Sequence, residues 1–295
     1  MSISKYPSTV TMPSLKKPYP LMIDFLVKRF PNIEKNIWEQ RITDGKILDE
    51  DGNKISFSTT YIPGKKLHYF RESQNEPQIP FKENIIYEND NYLIVDKPHF
   101  LPVIPSGPYV NECLLNRLKK STGNNSLTPV NRIDRETAGL VMISCNTDTR
   151  GIYSTLFEKR EVTKIYEAIA EYTSLPDFPE TTIKNRLTKG SPWFRMAVEE
   201  GEINAITKIR PIKFSNKYLH FSLEPVTGKK HQLRIHLSNM GYKIINDRYY
   251  PQLLEKKDTD FNNPLQLLAK QLTFTDPVNG KQQSFTSRLS LLKDW

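Results

Sequence analysis

Apolar positions along the chain change their spacing near residue 80, and that change is the first guide to its organisation. Before it, Leu21, Phe25 and Leu26 recur at helical spacing and predict a helix over residues 21–30. A second polar-apolar segment follows over 33–42. Short extended pieces come next, broken by turns at Asp51-Gly52 and Pro63-Gly64. Residues 71–80 are polar and proline-bearing, like a linker. After residue 80 short strands dominate. Ile85–Tyr87 and Tyr92–Val95 flank the polar turn Glu88-Asn89-Asp90-Asn91, and further strands are expected at 139–144, 164–170, 203–213 and 218–225. Helices are expected at 112–120, from a cap at Asp148 to about Lys159, and at 230–240. A closing hairpin over 268–274 and 282–285 turns at Pro277-Val278-Asn279-Gly280. Strands outnumber helices in irregular order. This predicts an α+β fold with a mixed, mostly antiparallel sheet and flanking helices, in two domains: 1–80 and 81–295.

Composition then narrows the function classes. The chain has 295 residues with 37% hydrophobic and 25% charged, which suits a packed core. Lys and Arg exceed Asp and Glu by 42 to 33, a net charge of +9. That excess fits a polyanionic partner, because each neutralised phosphate releases a counterion, but it also fits a merely basic protein. No apolar stretch approaches the roughly 20 residues that span a bilayer, so no membrane association is expected. The first 20 residues lack the apolar core of a secretory signal. Two cysteines, Cys113 and Cys145, are too few for a disulfide scaffold or a structural zinc site, and fit a cytoplasmic chain with reduced thiols.

Three segments carry candidate chemistry. In Asn131-Arg132-Ile133-Asp134-Arg135, two arginines flank an aspartate and favour its ionised form, although such loops are often plain surface turns. In Gly228-Lys229-Lys230-His231-Gln232-Leu233-Arg234-Ile235-His236-Leu237, a helix would place His231 and Arg234 on one face. Lys229 and Lys230 would sit near its phosphate-attracting N-terminus. Taken alone this is a basic amphipathic helix, and histidines five apart do not form a helical zinc pair. In Lys164-Ile165-Tyr166-Glu167-Ala168, the strand tyrosine either packs in the core or faces a pocket.

Together these segments resemble the RluA-like RNA pseudouridine synthases. The family's His-Arg-Leu-Asp and Thr-Ser-Gly stand here as Asn131-Arg132-Ile133-Asp134 and Thr137-Ala138-Gly139. Its Gly-Arg-Thr-His-Gln-Leu-Arg-Val-His is matched by 228–236, and its Gly-Asp-x-x-Tyr by Asn246-Asp247-Arg248-Tyr249-Tyr250. Its Lys-Pro-x-Gly-Leu-Pro-Val looks like Lys97-Pro98-His99-Phe100-Leu101-Pro102-Val103, and its tyrosine strand like 164–168. The five motifs keep their order over about residues 81–290.

The resemblance implies an isomerase that flips a uridine out of structured ribosomal or transfer RNA and rejoins its base to the sugar through carbon. It implies Asp134 as nucleophile or base, Arg234 as the partner that aims it and lowers its pKa, and Tyr166 stacked on uracil as general base. Leu233 would form the apolar side of the base pocket, and Arg132 would fill the place the base leaves. Lys229, Lys230, His231 and Gln232 would complete the substrate-binding set. The reaction needs no cofactor or metal, and nothing calls for more than a monomer. Departures fall at Asn131, Ala138, Lys229-Lys230, Asn246 and Phe100, where the family has His, Ser, Arg-Thr, Gly and Gly. They leave Asp134, Tyr166 and Arg234 in place. The alternative is a non-catalytic RNA-binding protein that retains the fold. A carboxylate glycosidase is disfavoured, because Asp134 has no convincing second carboxylate. More loosely, Arg41–Ile47 and Tyr61–Leu67 resemble a small alpha-L RNA-binding domain.

Overall fold

The computed structural model describes residues 2–172, 179–215, 217–255 and 259–292. The chain forms two compact units. The first comprises Met1–Pro77 with the segment Ser106–Asn111, and the second Gln78–Pro105 with Glu112–Trp295.

In the first unit the elements are β1 (Ser2–Ile3), β2 (Ser8–Thr11), α1 (Met22–Arg29), α2 (Lys35–Thr43), β3 (Ile47–Leu48), β4 (Lys66–Tyr69) and β5 (Glu72–Ser73). Helix α1 forms as its spacing predicts. Met22, Ile23, Phe25 and Leu26 are buried, while Asp24 in the first turn and Lys28 and Arg29 in the last complement the helix dipole. Its apolar face meets Trp38 and Ile42 of α2, and Ile47 and Leu67 from the three-stranded sheet β2-β4-β3. Arg41 is buried because its guanidinium lies over Trp38 at 4.9 Å and pairs with Glu72 at 3.1 Å.

The second unit holds β6 (Asn84–Glu88), β7 (Tyr92–Lys97), α3 (Leu114–Thr122), β8 (Thr128–Pro129), β9 (Ala138–Ser144), α4 (Arg150–Glu158) and β10 (Thr163–Glu171). It continues with β11 (Thr181–Lys189), β12 (Met196–Glu199), β13 (Ala205–Phe214), β14 (Tyr218–Pro225), α5 (Gln232–Asn239), β15 (Lys243–Ile244), β16 (Leu267–Thr275) and β17 (Gln282–Thr286). Its sheet runs β12-β11-β13-β14-β10-β16-β9-β7-β6, with β15, β17 and β8 paired to β10, β16 and β9. Among the described pairings, β9 with β16 is parallel and the rest are antiparallel. The fold is thus the expected α+β arrangement with a mostly antiparallel sheet.

Two details of this sheet position the chemistry. Gly139 has φ +108° and lies opposite Ala269, and a Cβ there would come within 2.2 Å of the Ala269 carbonyl oxygen. Only glycine lets β9 approach β16 this closely. On the other side of β16, β10 carries a bulge between Ile165 and Tyr166, where Tyr166 pairs with Ala269. A bulge re-aims the side chain next to it. The end of the Asp134 loop and the bulged tyrosine therefore meet across one residue of β16.

Helix α5 differs from the expected basic amphipathic helix. Gln232 to Leu237 are all buried, and the helix starts two residues later than predicted, with His231 left-handed at φ 53°. The polar side chains can be buried because each has an internal partner. The exposed cations Lys229 and Lys230 lie on the turn ahead of the helix. Leu233 and Leu237 join Ala168, Ala170, Phe221 and Leu223 in the core between α5 and the sheet, with Tyr166 packed against that cluster.

Candidate active site

Asp134 lies on the loop between β8 and β9, and the loop is held from both sides. The Asn131 side-chain oxygen accepts the Met142 N–H at 2.8 Å, and the Thr137 N–H donates to the Asp134 carbonyl at 3.2 Å. Lys97, fully buried at the end of β7, donates to the carbonyls of Pro98 (2.9 Å), Leu101 (2.7 Å) and Arg135 (3.1 Å). Three carbonyls match the three donors of an ammonium, although burial pulls its pKa down to about 7. The loop carrying Asp134 is thereby tied to the turn that follows β7.

The electrostatics of Asp134 correct two expectations. Arg135 turns away to its neighbour Glu136 (2.7 Å), and Arg132 stays exposed on the loop. Arg234 does pull the Asp134 pKa down, but burial outweighs it, so the carboxyl stands above its ordinary value. The reason is geometric. The guanidinium of Arg234 grips Asp247 through two bonds, Nε–Oδ2 at 2.8 Å and Nη2–Oδ1 at 2.6 Å. Its Nη1 stands 3.6 Å from Asp134 Oδ2, too long for a hydrogen bond, and bonds nothing else. Asp134 keeps 26% of its side-chain surface open, whereas Arg234 keeps 2%.

Aromatic rings enclose this pair. Arg234 lies over Tyr249 at 4.8 Å and Tyr250 at 5.7 Å. The ring of His231 reaches the Tyr250 hydroxyl at 3.0 Å and stands 4.0 Å from Asp134. Burial pushes the His231 pKa down to about 3, so the ring is neutral near pH 7. Burial, with the Asp134 charge added, raises the Tyr166 pKa and keeps it a phenol at rest.

Gln232 is held within the protein by its own hydrogen bonds. Its oxygen accepts from Thr227 (2.7 Å) and the Lys229 N–H (3.0 Å), and its nitrogen donates to Ile206 (3.0 Å) and Thr207 (2.8 Å). With its amide satisfied inside the protein, it fixes the start of α5. The residue that sequence reasoning did not assign is Asp247, the carboxylate that grips Arg234, and its signal is its place in Asn246-Asp247-Arg248-Tyr249-Tyr250. A cavity of about 360 Å³ lined by Arg195, Ile235 and Tyr250 contains none of Asp134, Tyr166 and Arg234 in its lining. Among the described residues, no three His, Cys, Asp or Glu side chains converge to hold a metal ion. No described helix is long and apolar enough to cross a membrane.

Two departures from the family motifs keep the backbone that glycine would adopt. Phe100 and Asn246 have φ of 66° and 62°. Asparagine tolerates this region, and Asn246 donates to the Pro264 carbonyl at 3.0 Å. Phe100 is buried against Phe81 and Phe261, with ring centroids at 6.1 and 5.3 Å.

The bulge tyrosine Tyr166, the desolvated Asp134 and the buried Arg234 thus lie together. In comparison with known proteins, the model of the RNA pseudouridylate synthase family matches residues 91–239, and the chain belongs to that family. It is an RNA pseudouridine synthase, an isomerase, similar to RluA-type enzymes. An RNA pseudouridine synthase of Synechocystis is 29% identical over 230 residues, covering 78% of this chain and 79% of that one. The dual-specificity RNA pseudouridine synthase RluA of Haemophilus influenzae is 28% identical, covering 72% and 96%. The mitochondrial tRNA pseudouridine(32) synthase of Saccharomyces cerevisiae is 28% identical, covering 78% of this chain and 50% of its own length. The fold is shared with the human protein RNA Pseudouridylate Synthase Domain Containing 1, with a TM-score of 0.58 and 20% identity over 75% of this chain and 94% of that one.

Proposed function

We propose that this enzyme converts particular uridines in structured ribosomal or transfer RNA of the cytoplasm, with Asp134, Tyr166 and Arg234 as its catalytic residues. The placement of Asp134 carries the reading: a desolvated, partly open carboxylate beside a buried arginine whose Nη1 amino group is unused. Flipping delivers the nucleotide to this carboxylate at a cost of a few kcal/mol, less for a base in a loop. Asp134 then acts on the sugar, as nucleophile at C1′ or as base at C2′, while the bond from C1′ to N1 breaks. The uracil turns between Tyr166 and Leu233, and its C5 forms the new bond to C1′. As the C1′–C5 bond forms, Asp134 leaves C1′ or, if it acted as base, returns the proton to C2′. The C5 proton then passes to the Tyr166 oxygen while the phenol proton is relayed to the freed N1, which returns the site to its resting state. Atoms balance as an isomerisation.

Arg234, held by Asp247, would offer its free Nη1 to Asp134 or to the sugar as charge develops. Lys229, Lys230 and Arg132 are exposed and suit the phosphates flanking the target, and neutral His231 stands beside Asp134. The unit of residues 1–80 would serve as an alpha-L-type RNA-binding domain, with 81–295 as the catalytic domain.

Tritium at uracil C5 leaves when the carbon–carbon bond forms, so its release from [5-³H]uridine-labelled cellular RNA reads the reaction directly. The wild-type protein should release tritium, and Asp134→Ala should release none while still retaining RNA on a filter. Equal release by both proteins would remove Asp134 from the chemistry. Binding without release by either would favour an RNA-binding protein that has kept the fold.

A further inference from the structure

Trp193 is the most exposed large apolar side chain among the described residues, at 76%. It tops the turn joining β11 to β12, and that turn is firmly built. The Arg195 N–H donates to the Pro192 carbonyl at 2.9 Å, and the Gly190 N–H to the Arg195 carbonyl at 3.0 Å. The Arg195 guanidinium donates to the Pro251 carbonyl at 2.8 Å and lies over Tyr250 at 5.0 Å. The Met196 N–H donates to the Tyr250 hydroxyl at 2.7 Å. Tyr250 and its neighbour Tyr249 are the residues that pack on Arg234, so the turn is fixed in the frame of the site.

A continuous ladder of rings leads from this turn to Asp134. Trp193 meets Phe194 edge-on at 5.9 Å, Phe194 meets Tyr249 at 5.5 Å, and Tyr249 underlies Arg234. Phe194 and Tyr249 are partly buried, which leaves Trp193 as the outermost ring. Lys230, directly before His231, places its ammonium 5.7 Å from the Trp193 ring centre. Lys189 at the end of β11 and Lys229 on the turn before α5 are also exposed. An aromatic face held by a fixed turn and flanked by cations fits a nucleobase with its phosphate: the ring stacks on any base, and the ammonium neutralises the backbone.

We propose that Trp193, with Lys230, is a stacking subsite for a nucleobase near the target uridine, and so helps determine which RNA loops the enzyme accepts. This deepens the reading of the site as one for RNA and rests on it. Because the contact is made by a ring face, it selects for an unstacked, single-stranded neighbour rather than for a particular base.

The test uses two probes of equal charge, a dodecauridylate and an abasic ribose-phosphate chain of the same length. Trp193→Ala should weaken binding of the dodecauridylate about tenfold, within the range for loss of one stacked base. It should leave binding of the abasic chain unchanged, and Trp193→Phe should restore most of the loss. Fluorescence quenching by the dodecauridylate, but not by the abasic chain, should disappear in Trp193→Phe. If Trp193→Ala binds both chains as the wild type does, or loses both equally, the stacking subsite is overturned. If the wild type binds neither chain, the RNA reading of this surface falls with it. Tritium release that survives in Asp134→Ala would instead remove only the catalytic assignment and leave the stacking result standing.

Discussion

Asp134 and Asp247 stand on either side of one buried arginine, and the two should respond oppositely to loss of charge. Asp134 has a raised pKa, so its ionised form costs stability at neutral pH, and that cost grows as pH rises through the folded-state pKa. Asp134→Asn should therefore leave the denaturant midpoint unchanged or raise it, while abolishing tritium release. Asp247 holds Arg234 through two short bonds. Asp247→Asn strands a buried guanidinium and should cost about 3–5 kcal/mol in urea unfolding. If the two variants lose equal stability, the division of labour between the carboxylates is wrong. For the tyrosine, Tyr166→Phe keeps the ring that would stack on uracil and removes the hydroxyl. Single-turnover tritium release should fall about 10²–10⁴-fold with RNA affinity retained. Unchanged release would exclude a proton-transfer role. At this scale the motif order pointed to Asp134, Tyr166 and Arg234, but not to their electrostatics. Two arginines near Asp134 in sequence suggest a depressed pKa, whereas the fold turns Arg135 to Glu136, leaves Arg132 exposed, and desolvates the partly open carboxylate.

At the scale of elements, β9, β16 and β10 form the frame of the site, and Gly139 is its tightest point. Gly139→Ala would drive a Cβ into the Ala269 backbone at a φ of +108°. It should cost at least the ~1–3 kcal/mol of a strained backbone, with the clash in addition. Activity should fall further than stability alone accounts for, because the shift is transmitted to the Asp134 loop and the Tyr166 bulge. A variant with wild-type melting and tritium release would show that the close approach does not matter. The strands of this frame were legible because their apolar positions alternate or run continuously. The pair β11 and β12 was not, for a physical reason. Thr181, Ile183, Asn185 and Leu187 face inward, so half the inward positions are polar, and Asn185 is there to meet His236 at 3.0 Å. Helix α5 was legible as a helix but not as a buried one, because a sequence does not display the partners that make buried Arg234 and His236 tolerable.

Across the whole molecule, buried polar groups set how stability depends on pH. His231 and His236 are both buried, with pKa values pushed down to about 3 and about 4. Below the ordinary histidine value of 6.5 the unfolded chain takes up protons that the native protein refuses. Their contribution is fully present above pH 6.5 and is lost as pH falls towards about 4 and about 3. Within that window each should remove about 1.4 kcal/mol per pH unit. Urea midpoints measured from pH 7 to 5 should decline accordingly, and His236→Asn should flatten the decline. A flat profile in the wild type would mean these rings are protonated in the native state. The α+β class with its mostly antiparallel sheet was readable in advance, because it depends on strand count and order. The pairing order within the sheet was not, since it joins strands as distant in sequence as β9 and β16.

We propose that uridine in RNA is isomerised through Asp134. The most direct measurement is a transcript-wide pseudouridine map of the organism that carries it, with the gene deleted and then restored as wild type or Asp134→Ala. One or a few pseudouridines should vanish on deletion, return with the wild-type gene and stay absent with Asp134→Ala. Restoration by Asp134→Ala, or a map in which no position changes, would contradict the account.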